Sequence, residues 1–345
     1  MGKIFKKIFI ILFIGLFFVS YSHAFGSKRS FLPKVKVLDQ NMYLGADLTP
    51  LLTGDLGQLE DVIGEIIASN YPARANAIAR TIKVLRPDVI CLQEAFLFEY
   101  LPLGISWDFK ALLLAELGDD YKEVVTNEDL TDVDLRPLFG VRIKDQDVIL
   151  AKRNVRIGDT DSFAFADNIE MDLPLDPPFN KVVIARGVST ARLKIRRKWY
   201  TVGNTHLESF HPGIRYNQAI ELVDEYDGVP EPIILAGDFN SEPGWPAYNV
   251  IVEEFDDAWP RRLIGRRDPG FTYGRDDLIS DDAIFDERID FVFTRNRRAT
   301  TLVGLTVGKS KFSKTVPVLY PTEPPSLVRL WPSDHLGLFF TLILP

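Results

Sequence analysis

Six apolar runs in this 345-residue chain begin or end in side chains able to bind a cation or move a proton. Gln40-Asn41 closes "KVKVLDQN" and Gln93-Glu94 closes "PDVICLQE". Asn204-Thr205-His206 falls in "WYTVGNTHLES", Asp238 and Asn240 close "EPIILAGDFN", Asp290 sits within "RIDFVF", and Asp334-His335 heads the final "HLGLFFTLIL". Taken singly, each has a structural reading. Asn41 reads as a turn residue, Asp238 and Asn240 belong to the turn-rich "DFNSEPG", and His206 reads as a satisfied core histidine. Glu94 and Asp290 are harder to dismiss, because an acid among buried neighbours is costly unless paired or metal-bound. Beyond residue 24 the chain holds three histidines, His206, His211 and His335. Two of them stand at these strand ends; His211, before Pro212, is expected at the surface. Carboxylates, amides and imidazoles gathered in this way suit general acid–base or metal-assisted chemistry.

The elements that must position them follow from periodicity. Short apolar runs predict buried strands over 34–41, 87–94, 147–153, 182–195, 199–209, 231–240, 288–295 and 335–344. Helical spacing appears over 56–69, 72–85, 108–117 and 213–226, with Asp108 as a cap and Pro72 in a first turn. The acidic, proline-rich stretch 167–179 is expected as a surface loop. Helices and buried strands interleave throughout, so the class is α/β or α+β, built as layers on sheets. In such folds strand ends lie side by side, and residues distant in sequence can meet.

Composition bounds the rest. The chain is 46% hydrophobic and 26% charged, which is globular. Lys3, Lys6 and Lys7, the apolar run Ile8–Val19 and the small residues Ser22 and Ala24 read as a secretory signal peptide over 1–24. The alternative, an uncleaved anchor, has a run short of the ~20 residues a span needs. Removing three lysines and no acid takes the formal charge from -8 to -11. An acidic protein has no general attraction to nucleic acid or anionic lipid. Cys91, the only cysteine, rules out an internal disulfide and reads as a buried apolar residue. No linker interrupts residues 30–345, which read as one domain. The chain lacks a GxSxG elbow and has too few Cys and His for a clustered zinc site.

In order, "QNMY", "DVICLQE", "NTHLES", "LAGDFN", "RIDFVF" and "SDHLGL" resemble the endonuclease/exonuclease/phosphatase superfamily of deoxyribonuclease-I-like fold. The resemblance covers about 34–344. It implies a four-layer α/β/β/α sandwich of two packed mixed sheets flanked by helices, and Mg²⁺-dependent hydrolysis of a phosphoester, with Mn²⁺ or Ca²⁺ as alternatives. It implies that Asn41 and Glu94 hold the metal, with Asp334 binding the metal or its water. Asp238 would align or deprotonate the attacking water, Asn240 would orient Asp238 and contact the phosphate, and His206 would donate to the phosphate, with Asn204 beside it at the substrate. Asp290 would orient His335, which acts either as a charge-stabilising imidazolium or as the general base.

Three substrate classes stay open. A nucleic acid would use a basic groove, for which Arg196, Arg197, Lys198, Arg261, Arg262, Arg266 and Arg267 are candidates; the alternative is that these are solvated turns. A phospholipid such as sphingomyelin would use an apolar lip for membrane contact, for which 95–109 is the candidate; the alternative is that it is core. A small phosphoester is the third. The reading leans slightly to a phospholipid or another non-nucleic phosphodiester, handled by a protein secreted to the periplasm or medium. A non-catalytic binding module is the contrary reading, and the intact residue set argues against it. Oligomeric state is not readable.

Overall fold

Strand β1, Lys34–Asn41, shows how the layers are built. Alternate side chains of a strand face opposite ways. Val35 and Val37 enter one buried cluster and Leu38 another. Strands apolar on both faces must be covered on both. The computed structural model describes residues 34–344 apart from 265–267, 275–277, 279–283, 296–298 and 317–325. The signal-peptide segment 1–24, and Arg266 and Arg267, lie outside the described residues.

The first large sheet joins β1 to β2 (Val89–Gln93), β3 (Tyr121–Asn127) and β4 (Asp147–Lys152). The second contains β5 (Arg156–Ala164), β6 (Gly187–Ile195), β7 (Lys198–His206), β8 (Ile233–Asp238), β9 (Asp256–Asp257) and, later in the chain, β11 (Asp290–Arg295). The chain returns to the first sheet with β10 (Arg262–Ile264), β12 (Thr300–Val307) and β13 (Gly337–Ile343). The orders are β10-β12-β13-β1-β2-β4-β3 and β9-β11-β8-β7-β6-β5. Both sheets are mixed: β1 runs parallel to β2 and antiparallel to β13, while β7 runs parallel to β8 and β8 antiparallel to β11.

The sheets pack face to face through Val35, Val37, Cys91, Ile149, Val202, Ile234 and Phe340. Cys91 is fully buried there, as its apolar setting predicts. Helices α1 (Leu59–Ala68), α2 (Tyr71–Leu85) and α3 (Phe109–Leu117) bury Ile66, Ile78 and Leu113 with Leu38, Ile90 and Leu150 on the outside of the first sheet. Helices α4 (Pro212–Glu225) and α5 (Pro246–Glu254) bury Leu222 and Ile251 with Leu235 and Phe293 on the outside of the second. This is the four-layer α/β/β/α sandwich. Truncating a core side chain such as Ile66, fully buried, to Ala is expected to cost about 2–5 kcal/mol. Asp108 caps α3 as expected, accepting from Ala111 N–H at 2.8 Å; His211 is exposed as expected and also caps α4 through Ile214 N–H at 3.2 Å, a role the sequence did not suggest.

Three expectations change. The run 182–195 is two strands: Lys181–Ile184 and β6, separated at Ala185-Arg186. Residues 167–179 are not all loop, because Ile169–Asp172 pairs with Lys181–Ile184 as a hairpin. The apolar stretch 95–109 is divided between core and surface. It forms a hairpin of Leu97–Tyr100 with Ile105–Asp108 inside a four-stranded sheet that also holds Asp132–Leu135 and Val141–Lys144. Phe96, Phe98 and Phe109 are buried, and only its turn leaves Leu101 and Leu103 exposed.

Candidate active site

Register does the assembly. Across the second sheet Gly187 stands opposite His206, His206 opposite Asp238, and Asp238 opposite Asp290. In the first sheet Asn41 stands opposite Gln93, Glu94 follows at once, and Asp334-His335 immediately precede β13. Close approach of β7 and β8 depends on Gly237: at φ +153°, a Cβ there would lie 2.1 Å from the Thr205 carbonyl oxygen. Tyr43, Glu94 and Asn240 adopt φ of 58°, 55° and 48°. Non-glycine residues rarely adopt such values, and strain of this kind gathers at functional sites.

Asp238 is the hub. Its Oδ2 accepts from Asn41 Nδ2 at 3.1 Å and lies 3.5 Å from His206 Nε2 and 3.7 Å from His335 Nε2. Its Oδ1 accepts the Asn240 N–H at 2.9 Å, while the Asn240 side chain donates to Leu207 O. Asn41 Nδ2 also donates to Glu94 Oε1 at 3.0 Å, and Glu94 Oε2 accepts Leu44 N–H. His335 Nδ1 lies 2.9 Å from Asp290 Oδ2. The Ser333 hydroxyl accepts His335 N–H and reaches both Asn41 O (2.8 Å) and Asp334 Oδ1 (3.2 Å), joining the two ends of the row. Asn41, Glu94, Asp238, Asn240, His206, Asp290, Asp334 and His335 therefore gather around one cleft.

Electrostatics separates the two imidazoles. Burial pulls His335 down, but the charges of Asp290, Asp334 and Asp238 outweigh it and hold its pKa well above the usual value. These three carboxylates favour the imidazolium form of His335. His206 is the reverse: burial, Arg186 and His335 hold it well below its usual value. Arg186 Nη1 lies 3.0 Å from His206 Nδ1 and 3.0 Å from Asp145 Oδ2. A guanidinium only donates, so His206 Nδ1 must accept and its proton sits on Nε2, facing Asp238. Burial and the charge of Asp290 push Asp238 up to about 7; burial raises Asp334 to about 6 despite His335.

Asn204 does not enter the cleft. Fully buried, it donates to Leu92 O and Val148 O and accepts from Gln93 Nε2 at 2.6 Å, while Gln93 Nε2 also reaches Asp39. It braces one sheet against the other, so the expected contact with substrate is corrected. The described basic candidates do not join the row either. Arg196 and Arg197 form the turn that starts β7, nine residues with His206 at the far end, so the turn lies roughly 26 Å from the site. Arg261 pairs with Asp256, and Arg262 is buried over Trp259.

Two arginines were missed. Arg186 hid in "VVIARGV", which alternates like unbroken strand; the Gly after it was the only signal. Arg74 lies on α2, wholly buried. It donates to the carbonyls of Met42 (2.7 Å), Tyr43 (2.9 Å), Ser69 (3.2 Å) and Pro332 (3.3 Å), tying the loop after Asn41 to the one before Asp334.

The residues fit a divalent cation. Asn41, Glu94 and Asp334 supply hard oxygens of the kind Mg²⁺ prefers. Asp290 Oδ1 is buried without a partner, and Asp238 and Asp334 are raised by burial and further by the charges of Asp290 and Glu94, which a dication would relieve. Asp238, Asp290 and His335 also bring ligand atoms within 4.8 Å of one another. A charged His335 already bonded to Asp290 is a poor ligand, so the oxygen set fits Mg²⁺ better.

A layered α/β scaffold with acids, amides and imidazoles at one edge of two mixed sheets defines a class, the metal-assisted phosphoester hydrolases. The chain belongs to the Endonuclease/Exonuclease/phosphatase family, whose model matches residues 64–335, and is a metal-dependent phosphoric ester hydrolase. No curated protein matches it. Solved structures share the fold at low identity. A Bacteroides thetaiotaomicron endonuclease/exonuclease/phosphatase family protein is 16% identical, with TM-score 0.61 over 90% of this chain and 98% of that one. A mannosyl-6-phosphatase of the same organism gives 16% and 0.61 over 90% and 100%. Truncated Caenorhabditis elegans TDP2 gives 17% and 0.55 over 90% and 97%.

Proposed function

We propose that the chain is a secreted, single-domain, Mg²⁺-dependent hydrolase of a phosphodiester, with a phospholipid such as sphingomyelin as the leading substrate class. The observation that carries the hydrolytic reading is the convergence of Asn41, His206 and His335 on one oxygen of Asp238. Asp238 positions the attacking water and takes its proton. The water oxygen bonds to phosphorus, the bond from phosphorus to the ester oxygen breaks, and the departing oxygen takes a proton from solvent water and leaves as an alcohol. Nε2–H of His206 and Nε2–H of His335 face the same space and stabilise charge on the phosphoryl oxygens. Asp290 holds His335 in place, and Asn240 holds Asp238 through its backbone N–H. A Mg²⁺ held by Asn41, Glu94 and Asp334 would polarise the phosphoryl group and steady the leaving oxygen.

Contact with a lipid surface is supported by the turns at Leu101–Leu103 and Arg136–Phe139. They sit side by side, with Leu101 N–H donating to Gly140 O, and expose Leu101, Leu103, Leu138 and Phe139. Phe210 (55% exposed) and Trp245 (44%) add apolar surface where the cleft opens. Exposed apolar groups of this kind mark interaction surfaces, and the basic turn is too remote to guide nucleic acid to the cleft.

The test is turnover of sphingomyelin vesicles, supercoiled DNA, RNA, inositol phosphates and a bis-aryl phosphodiester, in Mg²⁺ and in EDTA. Mg²⁺-dependent turnover of sphingomyelin and the bis-aryl ester is expected, lowered at least ~100-fold in Asp238→Ala and His335→Ala. Turnover of DNA or inositol phosphates alone would overturn the substrate class, and undiminished rates in EDTA would overturn the metal.

A further inference from the structure

A cavity of about 880 Å³ opens at the catalytic row. Close packing leaves few voids in a protein interior, and this volume is the size of a ligand site. Its lining divides. One side is the row of acids, amides and imidazoles. The other is an apolar arm walled by Leu44, Leu51, Phe96, Leu135, Leu173 and Ile184, drawn from the loop after β1, the segment after β2, the small sheet and the 169–184 hairpin. A Cβ on Gly54 would lie 3.4 Å from Pro174 Cδ, so the β1 loop and the hairpin close on each other.

The arm starts at the catalytic groups themselves. Leu44 N–H donates to Glu94 Oε2, Phe96 follows Glu94 by two residues, and Ile184 precedes Arg186 by two. Asp47, Thr49 and Thr131 also line the cavity, but these six side chains offer no partner to the polar atoms of a sugar or a base placed against them. An alkyl chain would lose nothing polar and would release poorly bonded water.

We propose that this arm is a subsite for one long alkyl or acyl chain carried by the same molecule as the scissile phosphate. The proposal rests on the phosphodiesterase reading of the cleft and adds where the substrate's hydrocarbon goes: into the protein, beside the metal-binding residues.

The experiment uses the full protein with Mg²⁺ and a series of alkyl p-nitrophenyl phosphodiesters, methyl to octyl, each kept below its aggregation concentration. We expect kcat/KM to rise roughly fourfold per added methylene until the arm is full. Leu51→Glu, which places a charge in a half-buried part of the arm, is expected to flatten the series and leave methyl-ester turnover unchanged. In parallel, alkylphosphonates of the same lengths are titrated calorimetrically into EDTA-treated protein, with the same dependence on length expected. If the methyl ester is turned over but both series are flat, the alkyl subsite is refuted and the phosphodiesterase reading stands. If no ester is turned over while phosphonate binding climbs with length, the phosphodiesterase reading falls and the subsite survives. Flat binding without turnover removes both.

Discussion

Replacing Arg186 by Met tests whether one guanidinium sets the working tautomer of His206. In the native protein Arg186 Nη1 donates to His206 Nδ1 at 3.0 Å and to Asp145 Oδ2 at 3.0 Å. Its charge also helps keep His206 neutral. Met fills similar volume and removes the donor, so the His206 proton is free to move to Nδ1. Nε2 then presents a lone pair to the phosphate instead of an N–H. Loss of one hydrogen bond to a charged group, about 1.5–3 kcal/mol, corresponds to about 13- to 160-fold in kcat/KM. The fall should lie in kcat, because the bond serves the developing charge. Arg186→Lys should fall between, since a point charge holds one partner in place of two. The assay is steady-state hydrolysis of an aryl phosphodiester, with ¹⁵N NMR of the His206 ring reporting which nitrogen carries the proton. An Arg186→Met enzyme within threefold of wild type, or an unchanged tautomer, refutes the reasoning.

Three further outcomes are expected. Asp290→Asn should lower kcat by about 10²–10⁴ with KM little changed, because an amide no longer holds the His335 imidazolium; normal turnover would remove Asp290 from the machinery. Arg74→Met should cost about 2–4 kcal/mol in urea unfolding, as buried carbonyls lose a charged donor but a desolvated charge is also removed; an unchanged midpoint would contradict this. Metal-free protein should melt lower at pH 7.5 than at pH 5.5. Asp238 and Asp334 are raised to about 7 and about 6, and Asp39 and Asp147 lie well above their usual value, so their stabilising effect is present at acid pH and lost as pH rises through those values. Each such group contributes at most about 1.4 kcal/mol per pH unit, and only below its own folded value, against His206 running the other way. Mg²⁺ should raise the melting temperature more at pH 7.5; a metal-free melting temperature that rises with pH would refute the account.

What sequence revealed and what it hid have physical causes. Glu94 and Asp290 stood out because an acid beside a buried strand needs a partner, and the strands bearing them are long enough to show a pattern. The four-residue strands Leu97–Tyr100, Ile105–Asp108, Asp132–Leu135 and Val141–Lys144 are too short to show any. The last two supply Val133, Leu135 and Ile143 to the cavity wall, so the pocket was invisible even though the catalytic row was not. Arg74 reads as an exposed position in "ARANAIARTIK" because helical spacing reveals one buried face and cannot show that a loop closes over the other. Asn204 misled in the opposite sense: it lies two residues from His206, but its register aims it between the sheets. The break at Ala185 carries no proline and no charge cluster, so only Gly187 hinted that Arg186 leaves the strand.

Strand β1 is held between β2 and β13, the one near it in sequence and the other almost three hundred positions later. During synthesis, therefore, half the cleft exists long before the other half. A growing chain that has not reached Asp334 carries β1 with one edge bare, a template for stray strands, and lacks the His335 imidazole. Hydrolysis is therefore expected only once β13 has closed the edge of β1.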